Sequence, residues 1–191
     1  MTRKVLLGTV VGAVLIFLVS FVWHEFTPFA EAGVKNLPHD DVLTAAMRLA
    51  ISDPGWYMFP TVNVAKQNDP VEMKNYAEKF RRGPTGVLIY RPGGTEFNFP
   101  MLLAKQFLYG LLAALVVCVL LAMCSGSLAG YAQRVAFVAL VAVFPALVTD
   151  LPYWSWYGFP GNFSASHSVE VLVTWTITAL ALAALVKPAR A

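Results

Sequence analysis

Four long apolar stretches are the feature that most constrains what this chain can fold into. Residues 5–23, 107–124, 135–149 and 171–186 contain no Asp, Glu, Lys, Arg or His. A hydrocarbon core about 30 Å thick is crossed by about 20 mainly apolar residues in a helix. Because lipid offers no hydrogen-bond partner to the backbone, such a stretch has to be helical. The chain is therefore predicted to be an all-α membrane protein with four transmembrane helices.

Composition supports a surface that faces lipid. Apolar residues make up 58% of the chain and charged residues 13%, whereas soluble domains have roughly 45–50% and about 25%. The net charge of +3 is small and dispersed, which does not indicate binding to nucleic acid. The lipid bilayer is the predicted environment.

The basic residues predict the orientation. Those beside short loops or chain ends are Arg3, Lys4, Arg134, Lys187 and Arg190. With four crossings they fall on one side, which the positive-inside rule makes cytoplasmic. The first helix, in residues 1–23, is then an uncleaved signal anchor with both termini inside. Residues 24–100 form an insert outside the cytoplasm, and residues 101–191 hold helices two to four.

The insert has the chemistry of a small soluble α+β domain. Two helices are predicted, over His39–Ile51 and over Asp69–Arg82, where Asp69 can cap and Pro70 occupies the first turn. Residues 86–90 read as a strand, and residues 95–99 are expected to return as its hairpin partner. A core this small is marginal alone, so the insert is expected to lean on the outer helix ends.

Aromatic side chains crowd the predicted outer loop, residues 150–167. Amphipathic rings prefer the headgroup level of a bilayer, and an aromatic wall that binds a ligand is the alternative. The apolar segment that starts at Trp56 is expected to pack on the membrane surface or on the helix ends. The candidate contacts for a ligand or partner are Trp56, Tyr57, Phe59, Tyr153, Trp154, Trp156 and Tyr157.

Five ionisable residues are predicted to gather at the outer ends of the helices. They are His24, Glu25, Asp150, His167 and Glu170. Helix ends are where a membrane protein ordinarily keeps polar residues, so an interfacial role is the first interpretation. A specific hydrogen-bonded cluster is a second. Two histidines and three carboxylates are also adequate ligands for a transition metal, which is the third.

Two further features concern the helices themselves. Gly8 and Gly12 form a GxxxG pattern that lets helices approach closely, within the bundle or against a partner subunit. The apolar stretches lack ionisable residues, and this argues against an ion-coupled transporter. No nucleophile, nucleotide-binding or HExxH motif is present in the sequence.

Two aromatic strings carry a resemblance. Residues 153–159, Tyr-Trp-Ser-Trp-Tyr-Gly-Phe, and residues 55–60, Gly-Trp-Tyr-Met-Phe-Pro, are similar to a pattern in uncharacterised four-helix proteins of the bacterial inner membrane. In that family one transmembrane helix is followed by a periplasmic insert and three more helices. The resemblance implies an envelope location and implies no activity.

The sequence thus favours a multi-pass inner-membrane protein without enzymatic activity or cofactor. It would bind a partner protein or a lipid-like ligand at its periplasmic face, as a homo-oligomer or as an accessory subunit of a larger complex. The alternative is a small membrane enzyme or metalloprotein with a site at the outer interface, where the five ionisable residues would hold a transition metal.

Overall fold

A computed structural model describes residues 2–94 and 96–187, apart from the side chains of residues 2 and 64. It divides into two compact units. The first contains the segments up to Val34, Phe97–Trp154 and from Phe159 onward, and the second contains Lys35–Glu96 with Ser155–Gly158. The candidate site described below lies in the first unit.

Long helices dominate the first unit. Their bounds are α1 Thr2–Phe26, α4 Phe99–Met123, α5 Tyr131–Pro145 and α7 Gly161–Leu185, while the short α6, Leu151–Tyr157, begins in this unit and ends in the second. A π-helical segment, Ala146–Asp150, joins α5 to α6. The described residues provide four helices long and apolar enough to cross a membrane. This confirms the prediction of a mostly helical protein with four candidate membrane-spanning helices.

The predicted aromatic loop is wrong in its extent. Helix continues from Tyr131 through the π segment to Tyr157, and α7 already begins at Gly161. Pro145 and Pro152 did not end the helix. Pro145 lacks the N–H that an α-helix would use, and the change to π hydrogen bonding follows it directly. Pro152, the second residue of α6, also lies inside this continuous helix, where its missing N–H leaves one intrahelical bond unmade.

The four long helices pack in the order α4, α1, α7, α5. At Gly12 a Cβ atom would lie 3.0 Å from Ala114 Cβ and 3.3 Å from Leu182 Cδ2. At Gly8 it would lie 2.9 Å from Cys118 Sγ. Both glycines therefore lie where α1 is pressed between α4 and α7, so the GxxxG pattern serves packing within this chain.

The core of the first unit is at the end where the basic residues lie. Leu121, Val138 and Leu182 are fully buried there. Arg134 is buried with them, at 4% exposure, and its guanidinium donates to the carbonyl oxygens of Ala183, Leu128 and Ala129 at 2.9, 2.9 and 2.7 Å. It thereby caps the end of α7 and holds the turn between α4 and α5.

The second unit contains two helices and a two-stranded sheet. The helices are α2, Asp40–Ala50, and α3, Pro70–Arg82, and a short 3-10 turn spans Val64–Lys66. The predicted cap of α3 is confirmed, since the Asp69 side chain accepts from Val71 N at 2.8 Å. Neither helix has a buried residue, so their apolar stripes stay exposed, as at Leu49 with 91%.

The predicted hairpin is wrong, although its first strand is confirmed. Strand β2, Gly86–Tyr90, pairs antiparallel with β1, Gly55–Phe59, in a register that sets Tyr57 opposite Leu88. Within the expected return segment, residue 95 lies outside the described residues. The remainder leads into α4, because Asn98 caps that helix by accepting from Met101 N at 3.0 Å.

Candidate functional site: a histidine and carboxylate cluster

Three elements bring polar side chains together at the end of the first unit opposite Arg134. The second half of α1 supplies Ser20 and His24, the π segment ends at Asp150, and the first half of α7 supplies the rest. His167 and Glu170 are three residues apart on α7, so they share one helix face. A π turn holds an extra residue, which changes the face on which Asp150 lies.

Asp150 is the buried centre of one pair. Its side chain is 8% exposed, and its Oδ1 lies 2.9 Å from His167 Nδ1. Its Oδ2 accepts a hydrogen bond from Ser168 Oγ at 2.6 Å. With the carboxylate ionised, His167 must carry a hydrogen on Nδ1, which leaves Nε2 of a neutral ring as an acceptor. That ring is 48% exposed, so a ligand can reach it.

Glu170 forms the second pair, with α1. Its Oε1 accepts from Ser20 Oγ at 2.7 Å and lies 3.5 Å from His24 Nδ1. His24 Nδ1 also lies 3.0 Å from the carbonyl oxygen of Ser20. A carbonyl only accepts, so this nitrogen donates and Nε2 is again the open position. Glu170 is 13% exposed and His24 is 55% exposed.

The structure therefore brings together four of the five predicted residues, in two pairs, and Glu25 belongs to neither. Within residues 2–94 and 96–187, no three His, Cys, Asp or Glu side chains are grouped so that they could hold a metal ion. The geometry gives the transition-metal alternative no support, and we do not propose it.

Two hydrogen-bonding residues of the site, Ser20 and Ser168, were not predicted from the sequence. Their one sequence signal was a hydroxyl near a histidine.

Two members of the cluster, Asp150 and Glu170, are set back from the nearer ends of α6 and α7. At a rise of 1.5 Å per residue, Asp150 is about 10 Å from the end of α6. On the same basis Glu170 is about 14 Å from the start of α7. The apolar stretches do lack ionisable residues, but the helices run beyond them and include the cluster. His24 is in the last turn of α1, and all four cluster residues lie just outside the apolar stretches, so the argument against ion coupling is unchanged.

The hydrogen bonds limit the chemistry. A serine nucleophile needs its hydroxyl bonded to the histidine that removes the proton. Ser168 Oγ instead donates to Asp150, as does His167. The pair therefore does not activate a serine, and its evident capacity is to present an oriented acceptor nitrogen.

An apolar groove adjoins the second pair. It has a volume of about 280 Å³ and is formed by α1 and α7. The lining residues are Leu18, Val19, Val22, Trp23, Thr27, Val173 and Ile177. On α1, Ser20 and His24 are flanked in the sequence on both sides by groove residues. On α7, the groove residues begin one turn after Glu170. An apolar surface thus runs beside Ser20 and Glu170, a carboxylate that is 13% exposed.

Comparison of this chain with protein-family models, curated proteins and solved structures found no match. The geometry of the site is accordingly the basis for assigning a function.

The seven aromatic residues predicted to contact a ligand or partner have different environments in the structure. Trp56 meets Tyr157 with ring centroids 4.8 Å apart, and Tyr153 meets Phe159 at 5.3 Å. The others are Tyr57, whose hydroxyl donates to Asp53 O; Phe59, which covers Gly86; Trp154, beside Gly161; and Trp156, which is 80% exposed.

A larger cleft, of about 760 Å³, lies in the second unit between α2 and β2. Its lining includes Arg48 and Arg91 but none of the predicted site residues. Among the described residues, no histidine or carboxylate lines this cleft. The cleft therefore lacks the acid and base groups found in the cluster of the first unit.

Proposed function

We propose that this protein is a non-enzymatic, multi-pass protein of a bacterial inner membrane that binds a lipid-like amphiphile. The ligand's aliphatic chain would occupy the groove between α1 and α7. Its headgroup would meet the histidine and carboxylate cluster. The observation that carries the proposal is that the apolar groove comes within one helical turn of Glu170 along α7, and this carboxylate is 13% exposed.

The proposed topology has both termini in the cytoplasm and the second unit in the periplasm. Support comes from the basic residues at one end of the first unit. Lys4 Nζ donates to the carbonyl oxygen of Lys187 at 3.3 Å, and Arg134 bonds Ala183 O. Three basic segments of the chain therefore share one end, which the positive-inside rule assigns to the cytoplasm; Arg190 lies outside the described residues. The cluster is then near the periplasmic face.

A groove on lipid-facing helices is accessible to aliphatic chains in the bilayer, since hydrocarbon is the solvent there. In this groove, Val22 and Val173 are 51% and 38% exposed. A chain bound along these residues would place its polar end beside Ser20 and Glu170. The arrangement fits an amphiphile better than a wholly apolar molecule, because a buried carboxylate favours a polar partner.

The charge of the cluster favours a cationic headgroup. Two carboxylates are present, and among the described residues their ion-pair partners are histidines rather than lysine or arginine. With neutral imidazoles the cluster is negative. A protonated amine would supply both the opposite charge and hydrogen-bond donors to Glu170 and to the acceptor nitrogen of its partner, His24.

Three amphiphiles with the same chain test this proposal: hexadecylamine, hexadecanol and palmitate. Displacement of a fluorescent alkylamine from the purified protein in nanodiscs gives their relative Kd values. We expect hexadecylamine to bind at least about tenfold more tightly than palmitate, since an ion-paired hydrogen bond is worth about 1.5–3 kcal/mol. Equal affinity for all three would contradict a charge-selective site.

Matched variants locate the site. Glu170→Gln should remove the preference for the amine, whereas Glu25→Gln, outside both pairs, should retain it. Val173→Trp should block the groove and weaken all three ligands. Leu180→Trp is its control, because Leu180 is 48% exposed on the same helix but does not line the groove. Unchanged selectivity in Glu170→Gln would refute the proposed headgroup position.

A second candidate function is assembly with another protein, as a homo-oligomer or an accessory subunit. Trp156 and Trp56 are 80% and 50% exposed, and tryptophan is enriched at the energetic centres of interfaces. Light scattering of the purified protein tests self-association. If the wild type is oligomeric through this surface, Trp156→Ala should lower its mass. A monomeric wild type would exclude the homo-oligomer, and a different protein would then be the proposed partner.

A further inference from the structure

The cleft between α2 and β2 in the second unit carries two basic groups without a partner in the described chain. Arg48 is in the last turn of α2, and Arg91 directly follows β2. Both residues line the cleft of about 760 Å³, and both are exposed. Neither guanidinium forms an ion pair or a hydrogen bond within residues 2–94 and 96–187. Both are therefore accessible to a ligand and give up no internal bond to meet it.

Two other arginines of this unit do have a partner inside the chain. On α3, Arg81 and Arg82 both donate to Glu78, at 3.0 and 2.9 Å. The cleft has no such counter-ion, since no carboxylate lines it among the described residues. The nearer acidic residue of α2, Asp41, precedes Arg48 by seven positions, which is about 10 Å along the helix axis. The cleft thus presents positive charge that is not neutralised locally.

Tyr90 adds a neutral donor to the same cleft. The residue lines the cleft and is 9% exposed. Its hydroxyl has no hydrogen-bond partner in the described part of the chain. The one side-chain polar atom in that part which is both fully shielded and unpartnered is Thr174 Oγ1, so the Tyr90 hydroxyl keeps some accessible surface. A buried tyrosine hydroxyl usually has a partner, and a molecule in the cleft can provide one.

The size and the remaining wall of the cleft fit a small organic molecule better than a bare ion. Cavities that bind small molecules have volumes of roughly 300–1,000 Å³ and mostly apolar linings. Here the apolar part of the lining is Met47 on α2 with Leu88 and Ile89 on β2. Ile89 is 67% exposed, so a molecule from solution can reach this wall directly.

We propose that this cleft binds a small organic anion, a carboxylate or a phosphate with an apolar body. The negative group lies at Arg48 and Arg91, because the planar guanidinium matches the oxygen atoms of both kinds of anion. Tyr90 supplies a further donor, and the apolar body packs on Met47 and Leu88. This site is in a different unit from the amphiphile site and has the opposite charge preference, so neither proposal depends on the other.

Three soluble probes of similar size test the proposal: phenyl phosphate, benzoate and benzyl alcohol. Isothermal titration calorimetry of the full-length protein in phosphatidylcholine nanodiscs, in phosphate-free buffer, gives their Kd values. We expect both anions to bind at least about tenfold more tightly than the uncharged alcohol, because only the anions gain hydrogen bonds to charged donors. Equal affinity for the three probes, or no binding of either anion, would overturn the proposal.

A competition experiment distinguishes a lipid headgroup from a free anion as the source of the phosphate. Dihexanoylphosphatidylglycerol is added as monomers to the complex with phenyl phosphate, and dihexanoylphosphatidylcholine is the uncharged control. Displacement by the first lipid alone supports the cleft as an anion site and assigns a lipid headgroup to it. Displacement by neither lipid, with phenyl phosphate bound, assigns a soluble anion.

Matched variants locate the anion. Arg48→Gln and Arg91→Gln should each weaken both anions by roughly tenfold and leave benzyl alcohol unchanged. Arg82→Gln removes the same charge from an exposed position outside the cleft and should change none of the three. Tyr90→Phe should weaken the anions by about fivefold. Its melting temperature without ligand should match wild type, since its hydroxyl has no partner in the described chain.

The same variants show which result contradicts the assignment. If Arg82→Gln weakens the anions as much as the two cleft variants do, net charge alone attracts them and the cleft is not the site. Unchanged anion binding in both Arg48→Gln and Arg91→Gln would also overturn the proposal. Hexadecylamine should bind all these variants as it binds wild type, so a failure here leaves the amphiphile proposal to its own test.

Discussion

His167 Nδ1 lies 2.9 Å from Asp150 Oδ1, although the two residues are 17 positions apart in the sequence. The bond joins the π segment to α7 where the Asp150 side chain is 8% exposed. A hydrogen bond to a charged acceptor is stronger than one between neutral groups, and shielding from water strengthens it further. The pair therefore fixes the histidine and also ties two long helices together.

Asp150→Asn should destabilise the first unit. Both carboxylate oxygens accept hydrogen bonds, from His167 and Ser168, and an asparagine can offer only one oxygen. We expect the free energy of unfolding to fall by about 1–3 kcal/mol, the range for an unsatisfied buried group, as measured by unfolding in detergent. Glu25→Gln, at an exposed position, is the control. An unchanged unfolding curve for Asp150→Asn would contradict the buried pair.

Gly12→Ala should weaken the packing of α1. The added methyl would lie 3.0 Å from Ala114 Cβ, which cannot rotate away, so backbone has to shift. Overpacking of this kind costs about 1–3 kcal/mol. Gly126→Ala is the matched control, since nothing lies within 4 Å of a Cβ at that position. If both variants have the melting temperature of the wild type, α1 is not packed against α4 in this way.

Arg134→Met should destabilise the end of the bundle opposite the cluster. The substitution leaves three carbonyl oxygens, of Ala183, Leu128 and Ala129, without their donor. A loss of about 1–3 kcal/mol in the free energy of unfolding is expected. Arg134→Lys should recover only part of it, because an ammonium does not reproduce the planar guanidinium fork. Arg3→Gln, at an exposed position, should melt with wild type.

The proposed topology predicts the sidedness of labelling. Lys74→Cys on α3 should react with a membrane-impermeant maleimide added to intact spheroplasts. Gly126→Cys, between α4 and α5, should react only after the membrane is opened. Both are made in a Cys124→Ser background, because Cys124 is partly accessible whereas Cys118 is buried. The opposite pattern would invert the orientation and move the cluster to the cytoplasmic face.

Some elements of the fold were predictable because their signals are local. Strand β2 has its predicted bounds, and helix α3 lies within one residue of its predicted bounds because Asp69 and Pro70 mark its start. The partner of β2 was not predictable, because strand pairing depends on which segments meet in space. Residues 96–98 looked equally suitable, but the cap at Asn98 commits that segment to α4.

The candidate site divides in the same way. The order of the helices alone predicted that the histidines and carboxylates would gather at one end. The pairs themselves depend on how each helix is rotated, and at Asp150 this rotation follows the π segment. Ser20 gave only a weak signal, because a lone hydroxyl in an apolar helix usually bonds its own backbone.

The sequence by itself determined that four segments are long and apolar enough to cross a bilayer, because hydrocarbon admits only uncharged chain with its backbone bonds satisfied. Tertiary structure alone decided which side chains meet. Close approach at Gly8 and Gly12 fixes α1 between α4 and α7, and this packing sets Ser20 against Glu170.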